Sequence, residues 1–128
     1  MNKNIYILTL LLSLSFGAVS SIDVLYDTDT DIAGFQFHID NVDLIGASGG
    51  EAENFGFMIS TGNNMVLGFS LTGAVIPAGS GTLITLEVVG SGACISNLVL
   101  SDTSAGGLDA TIEDCLTILY TAPIPGCT

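Results

Sequence analysis

Apolar and polar residues alternate along much of this chain. The alternation is clearest over residues 33–40, where every second side chain is apolar. The apolar set is Phe35, Phe37 and Ile39, and the polar set between them is Gln36, His38 and Asp40. A period of two places successive side chains on opposite faces of a strand. The segment therefore predicts a strand with one buried face.

Further short apolar segments follow, separated by turns rich in Gly, Asn and Pro. They predict strands over 22–26, 42–45, 55–59, 65–71, 82–89, 95–100, 108–112 and 116–120. Residues 51–54 are interpreted as a helical turn or an acidic loop, and the mature chain has no longer helical period. Eight or nine short strands at regular spacing predict an all-β jelly-roll β-sandwich.

Two of these strands differ in how clearly the pattern assigns their faces. In 22–26, either Val24 and Tyr26 or Ile22 and Leu25 could face the core. In 65–71 the alternation predicts one inward set and one outward set. The inward set is Met65, Leu67, Phe69 and Leu71, expected to oppose Phe35 and Phe37, and the outward set is Val66, Gly68 and Ser70.

The first residues have the composition of a secretory signal peptide. Lys3 lies in a short polar head, residues 5–16 are rich in leucine, and residues 17–20 are small. The apolar run is shorter than the roughly 20 residues that a membrane span needs. We therefore expect cleavage of residues 1–21, a secreted or cell-surface domain over 22–120 with no membrane insertion, and a Pro/Gly-rich linker over 121–128.

Charge excludes one class of partner. Lys3 is the only Lys or Arg in the chain, against 13 Asp and Glu residues, so the chain without its leader has a side-chain charge of −13. Nucleic acid is excluded as a partner because binding phosphates takes Lys and Arg. Two interpretations of the acidity stay open, namely solubility in a saline medium and a specific role for cations.

One acidic turn has the spacing of a calcium loop. Asp27, Asp29 and Asp31 stand at every second position, although the glycine and the distal glutamate of an EF-hand loop are missing. The alternative is a solvated turn. Asp102 and Asp109 form a second candidate pair, and no cofactor other than calcium is expected.

The three cysteines have different expected fates. Cys94 and Cys115 lie beside two predicted strands, and an exported chain favours a disulfide between them. Cys127 is the odd one. We expect it to pair outside these 128 residues or to belong to a chain that continues beyond Thr128.

An ordered set of segments resembles a cohesin-type module. These are DIAGFQF at 31–37, GF at 56–57, VLGFS at 66–70, IPAGSGTL at 76–83 and LVLSD at 98–102. The similarity spans residues 22–120. It implies a nine-stranded jelly-roll sandwich, related in architecture to some carbohydrate-binding modules, that binds rather than catalyses. In cellulose-degrading assemblies, cohesins hold a calcium-loaded dockerin module on one sheet face.

The residues carry no enzyme signature, so we expect a non-catalytic protein. His38 is the only histidine, the chain has no Trp, and neither a phosphate loop nor a zinc spacing is present. The expected binding face contains Gln36, His38, Asp40, Val66 and Ser70. Three functions follow as hypotheses. They are a protein-interaction or adhesion module, a polysaccharide-binding module, and a self-assembling subunit of an extracellular filament or sheath.

Overall fold

The computed structural model describes residues 18–104 and 106–122, which form ten strands and one short helix. The strands are β1 (Val19–Thr28), β2 (Gly34–Asp40), β3 (Asp43–Ser48), β4 (Met58–Gly62), β5 (Met65–Phe69), β6 (Gly79–Val89), β7 (Cys94–Ser101), β8 (Gly107–Leu108), β9 (Thr111–Glu113) and β10 (Thr117–Tyr120), and the helix is α1 (Gly50–Asn54). None of the described helical residues forms a helix long and apolar enough to span a membrane.

The strands form two five-stranded sheets. Sheet A has the order β3-β6-β1-β10-β9, and sheet B has the order β4-β5-β2-β7-β8. Neighbouring strands are antiparallel except β1 and β10, which are parallel. The predicted all-β sandwich is confirmed.

The inner face of β2 lies at the centre of the core. Phe35, Phe37 and Ile39 are all buried, as the alternation predicts. The Phe35 ring stacks on Phe37 and on Phe57, with ring centroids 6.1 and 6.2 Å apart. From sheet A, the predicted inward residues of β6 (Ile84, Leu86 and Val88) are buried in the same core. Burial of these aliphatic and aromatic side chains is the main stabilising term of the sandwich.

The predicted orientation of β5 is wrong. Val66 is fully buried, whereas Leu67 is 39% exposed and Leu71 lies beyond the end of the strand. The reason is the register with β2, which places Val66 opposite Phe37 and Leu67 opposite Gln36. Residues directly opposite each other in a sheet share a face. Val66 is therefore not part of an exposed binding face.

In β1 the structure selects the first of the two alternatives. Val24 and Tyr26 are buried, and a bulge follows Val24, so that Leu25 is exposed on the outer face of sheet A. The strand begins at Val19, so residues 19–21 pair with the end of β6. Residues 1–17 and 123–128, and with them most of the predicted leader and Cys127, lie outside the described residues, and cleavage stays a prediction.

The chain crosses from sheet B to sheet A directly after β2. Asn41 has a φ of 73°, and β3 then pairs with β6 rather than continuing β2 around a bend. The Asn64 side chain holds this crossing, because its Nδ2 donates to the carbonyl of Ile39 (3.1 Å) and its Oδ1 accepts from the N–H of Leu44 (3.2 Å). Asn63 and Asn64 both have positive φ, which confirms the predicted hairpin turn between β4 and β5.

A disulfide joins the two sheets at one end. Cys94 begins β7 in sheet B, and Cys115 lies in the turn between β9 and β10 of sheet A. Their Cα atoms are 4.3 Å apart, and the N–H of Ile95 donates to the carbonyl of Cys115 at 2.8 Å. The predicted Cys94–Cys115 pairing is confirmed.

Candidate binding face

The outer face of sheet B carries the largest set of exposed apolar side chains on neighbouring strands. Strand register aligns Ser60, Leu67, Gln36 and Val99 in one row across β4, β5, β2 and β7. The adjacent row contains Met58, Phe69, Gly34 and Ser101. Met58 is 49% exposed and Val99 is 54% exposed. We call the set Met58, Leu67, Phe69 and Val99 the apolar patch.

The apolar patch surrounds a shallow depression of about 190 Å³. Its floor is Gly34, where a side chain would meet the Ser101 Oγ at 2.9 Å. A second depression of about 280 Å³ lies toward the β4–β5 turn, and Gln36 and Leu67 line both. Leu67 and Gln36 therefore form a ridge between two shallow concavities. Their shape suits side chains of a partner surface better than a buried small molecule.

Charge distinguishes the two outer faces. Asp40 is the one carboxylate on the strands of sheet B, whereas five exposed carboxylates lie on the strands of sheet A. Those of sheet A are Asp23, Asp27, Asp43, Glu87 and Glu113. Sheet B thus presents a nearly uncharged, partly apolar surface on a molecule whose formal net charge is −12.

His38 and Asp40 form an ion-pair geometry beside the apolar patch. The Nδ1 of His38 lies 2.7 Å from Oδ1 of Asp40, and since a carboxylate only accepts, Nδ1 is the donor. Hydrogen bonds from Ser96 and then His38 lower the pKa of Asp40 below its ordinary value. Asp40 is therefore ionised at neutral pH and supplies a fixed negative charge at the edge of the apolar patch.

We expect Ser96→Ala to raise the pKa of Asp40 toward its ordinary value, because the Ser96 hydrogen bond is the largest cause of the lowering. A lowered carboxyl pKa stabilises the fold at pH values above the ordinary pKa, and this contribution is lost as pH falls through the lowered pKa. NMR titration of the Asp40 carboxyl carbon measures the shift. Thr103→Ala, a hydroxyl deletion at an exposed position away from this pair, is the control, and an equal shift in both variants would contradict the assignment.

The structure brings together three of the five residues predicted for partner binding. Gln36, His38 and Asp40 lie side by side on the outer face of β2, while Val66 is buried. Ser70 lies after β5, and its Oγ accepts from the N–H groups of Thr72 (3.1 Å) and Ala74 (2.9 Å). Its hydroxyl therefore holds a turn next to the face.

The aspartates predicted to bind calcium are not brought together. The carboxylate of Asp29 accepts from the N–H of Ala122 at 2.9 and 3.0 Å, and that of Asp31 accepts from the N–H of Ala78 at 2.9 Å. Asp27 lies on the outer face of β1, and Asp102 accepts the N–H groups of its own turn. In residues 18–104 and 106–122, no three His, Cys, Asp or Glu side chains form a metal-binding group. Asp29 and Asp31 instead fix loops to the sandwich.

Comparison with known proteins gives matches at the level of structure. No protein-family model matches the chain, and no curated protein matches it either. Among solved structures, a non-cellulosomal cohesin from the archaeon Archaeoglobus fulgidus aligns with a TM-score of 0.53 and 10% identity, covering 84% of this chain and 83% of that one. The chain has a cohesin-like fold.

Two further cohesin structures agree. The seventh ScaB type I cohesin from Pseudobacteroides cellulosolvens matches with a TM-score of 0.53 and 9% identity, covering 88% of each chain. A Clostridium cohesin, CaCohA2 in its complex with a dockerin variant, matches with a TM-score of 0.54 and 14% identity, covering 83% of this chain and 91% of that one. The cohesin resemblance and the jelly-roll sandwich predicted from the sequence are confirmed as a fold.

The sequence pattern did not predict the apolar patch of this cohesin-like domain. Leu67 was expected inside, and Met58 and Val99 were not assigned to a face. The signal was present in β5, where Val66 and Leu67 are adjacent apolar residues and so cannot both face the core of a regular strand. The sequence alone does not say which one is outside.

Proposed function

We propose that this chain is a non-catalytic module that binds a partner protein through the outer face of sheet B. The observation that carries the proposal is the apolar patch, which is assembled by register from three strands on the less charged face of a strongly acidic domain. Exposed apolar residues that cluster on one surface mark interaction sites more reliably than residues scattered singly.

The composition of the face fits a protein partner. The centres of protein interfaces are depleted in charge and enriched in large apolar side chains, with polar residues at the rim. Here the centre is Leu67, Val99 and the Gly34 depression, and the His38–Asp40 pair lies at the rim. The pair supplies polarity at the edge, where it sets orientation and specificity rather than affinity.

A polysaccharide ligand is less well supported by the same face. Sugar rings pack on exposed aromatic platforms, and the chain has no Trp. Among the described residues of the sheet B outer face, Phe69 is the one aromatic ring, and it is half-buried. The apolar patch is otherwise aliphatic, which suits the side chains of a partner protein.

The cohesin-like fold supports a module of protein assembly, since one of its structural neighbours is a cohesin in complex with a dockerin. We also propose that the chain acts outside the cytoplasm. This is supported by the leader-like composition of residues 1–21 and by the Cys94–Cys115 disulfide, a bond typical of oxidising compartments.

Paired leucine substitutions test the proposal. Leu67→Asp places a charge in the apolar patch, whereas Leu25→Asp makes the same change at a leucine of matched exposure (41% against 39%) on the outer face of sheet A. Wild type and both variants are immobilised, proteins of the host's culture medium are passed over them, and the affinity of any captured protein is measured by surface plasmon resonance.

We expect Leu67→Asp to weaken binding at least about tenfold, the effect of removing a central interface side chain, and Leu25→Asp to leave it within about twofold. Equal binding by all three proteins would place the interface elsewhere. Affinity electrophoresis in gels containing polysaccharides is the parallel measurement, and retardation that Leu67→Asp abolishes would replace the protein partner with a carbohydrate.

A further inference from the structure

The two sheets end in four edge strands, and one of them lacks the features that normally prevent edge pairing. Edge strands are protected by short length, charged side chains, bulges or proline. Among the described residues, β8 has two residues, β9 has three with Glu113 among them, and β3 carries Asp43 and a bulge after Leu44. Strand β4, with the sequence MISTG, has five residues, no charge, no proline and regular pairing with β5.

The hairpin geometry determines which backbone groups of β4 face outward. The two-residue turn at Asn63 and Asn64 makes Gly62 and Met65 a hydrogen-bonded pair. Pairs alternate along an antiparallel ladder, so Met58, Ser60 and Gly62 bond to β5. The N–H and C=O groups of Ile59 and Thr61 therefore point away from β5, and no hydrogen bond reaches them from elsewhere in the described part of the chain.

These outward groups are self-complementary about a two-fold axis. In an antiparallel pair of two β4 strands centred on Ser60, Ile59 lies opposite Thr61 of the other copy, and Thr61 lies opposite Ile59. Each such pair exchanges two backbone hydrogen bonds, so the arrangement makes four. Met58 of one copy lies over Gly62 of the other, where nothing within 4 Å would obstruct an added Cβ.

Charge also favours this edge for contact between identical copies. Two chains with a formal net charge of −12 repel each other. The strands of sheet B carry a single carboxylate, Asp40, on β2, which is separated from β4 by β5. The β4 edge is thus a place where two copies can approach without bringing carboxylates together.

We propose that β4 is a self-association edge, through which a second copy of this chain adds its own β4 and joins the two five-stranded B sheets into one of ten strands. The contact is isologous and closes on itself, so it makes dimers and not fibres. It places the two apolar patches side by side on a continuous surface. The proposal is independent of the partner-binding function, because it uses the strand edge rather than the face.

Cysteine cross-linking tests the register. At the two-fold axis, the two Ser60 residues form a non-hydrogen-bonded pair with Cα atoms about 4.5 Å apart, within the range of a disulfide. We expect Ser60→Cys in a Cys127→Ser background to form a covalent dimer on air oxidation. Thr111→Cys in the same background is the matched control, since it places an exposed thiol on the β9 edge, and we expect it to form at least about tenfold less dimer.

Sedimentation equilibrium of the protein without added cysteines gives a second measurement. We expect a monomer–dimer equilibrium that strengthens at least about tenfold between about 20 mM and 1 M NaCl as repulsion is screened. Thr61→Pro removes an outward N–H that β5 does not use and should leave only monomer. A protein that stays monomeric up to about 1 mM in high salt, or equal cross-linking at positions 60 and 111, would overturn the proposal. Retained dimerisation in Leu67→Asp would separate its outcome from that of the partner-binding face.

Discussion

Gly68→Ala is expected to destabilise the protein by about 1–3 kcal/mol, the range for overpacking a well-packed core. A Cβ at position 68 would lie 2.3 Å from Cζ and 2.4 Å from Cε1 of Phe35, well inside van der Waals contact. The ring has little freedom to withdraw, because it is stacked on both Phe37 and Phe57. The absence of a side chain at position 68 is therefore what lets the Phe35 ring lie under β5.

Urea denaturation followed by circular dichroism measures this loss. Gly46→Ala is the matched control, since a Cβ there meets nothing within 4 Å, and we expect its midpoint to stay close to wild type. Phe35→Leu should partly rescue Gly68→Ala, because the smaller side chain frees the space that the new methyl needs. Additive losses in the double variant would show that the clash with Phe35 is not the cause.

Replacing both Cys94 and Cys115 with Ser is expected to cost about 3 kcal/mol, the chain-entropy value for a loop of this size. The two cysteines are 21 positions apart in sequence, and the bridge restricts the unfolded chain. It also joins the start of β7 in sheet B to the turn before β10 in sheet A. A loss of this size is a large part of the stability of a small domain, so we expect the melting temperature to fall by more than about 10 °C.

Reduction of the wild-type protein provides an independent version of this experiment. Melting in dithiothreitol should approach that of the double serine variant, and dithiothreitol should not lower the melting temperature of the variant further. Cys127→Ser is the control and should keep the full reduction-dependent loss. A double serine variant that melts within about 2 °C of wild type would show that the bridge adds little to the packing between the sheets.

The two predictions concern different parts of the same problem. Packing of Phe35 against Gly68 places β5 on β2 inside sheet B, and so sets which side chains of β5 reach the outer face. The disulfide acts between the sheets. A Gly68 variant is therefore expected to alter the apolar patch as well as stability, whereas loss of the disulfide should leave the patch residues in register as long as the domain stays folded.

Local pattern was sufficient for the elements whose two faces differ in polarity. Strand β2 alternates three apolar with three polar side chains, and its inner face was predicted correctly. The same holds for Ile84, Leu86 and Val88 in β6, and the Asn63-Asn64 turn follows from the tolerance of asparagine for positive φ. The Cys94–Cys115 pairing was also predicted, because each cysteine lies beside a strand in an otherwise cysteine-poor domain.

The sequence by itself determined that the chain is a β-sandwich with β2 in its core and a disulfide near its end. Only the tertiary structure decided which face of β5 is buried, because both of its faces are apolar and the choice depends on pairing with Phe35 and Phe37. The apolar patch and the free edge of β4 follow from that choice. Register between strands distant in sequence creates both, and a periodicity of two within one strand carries no information about register with another.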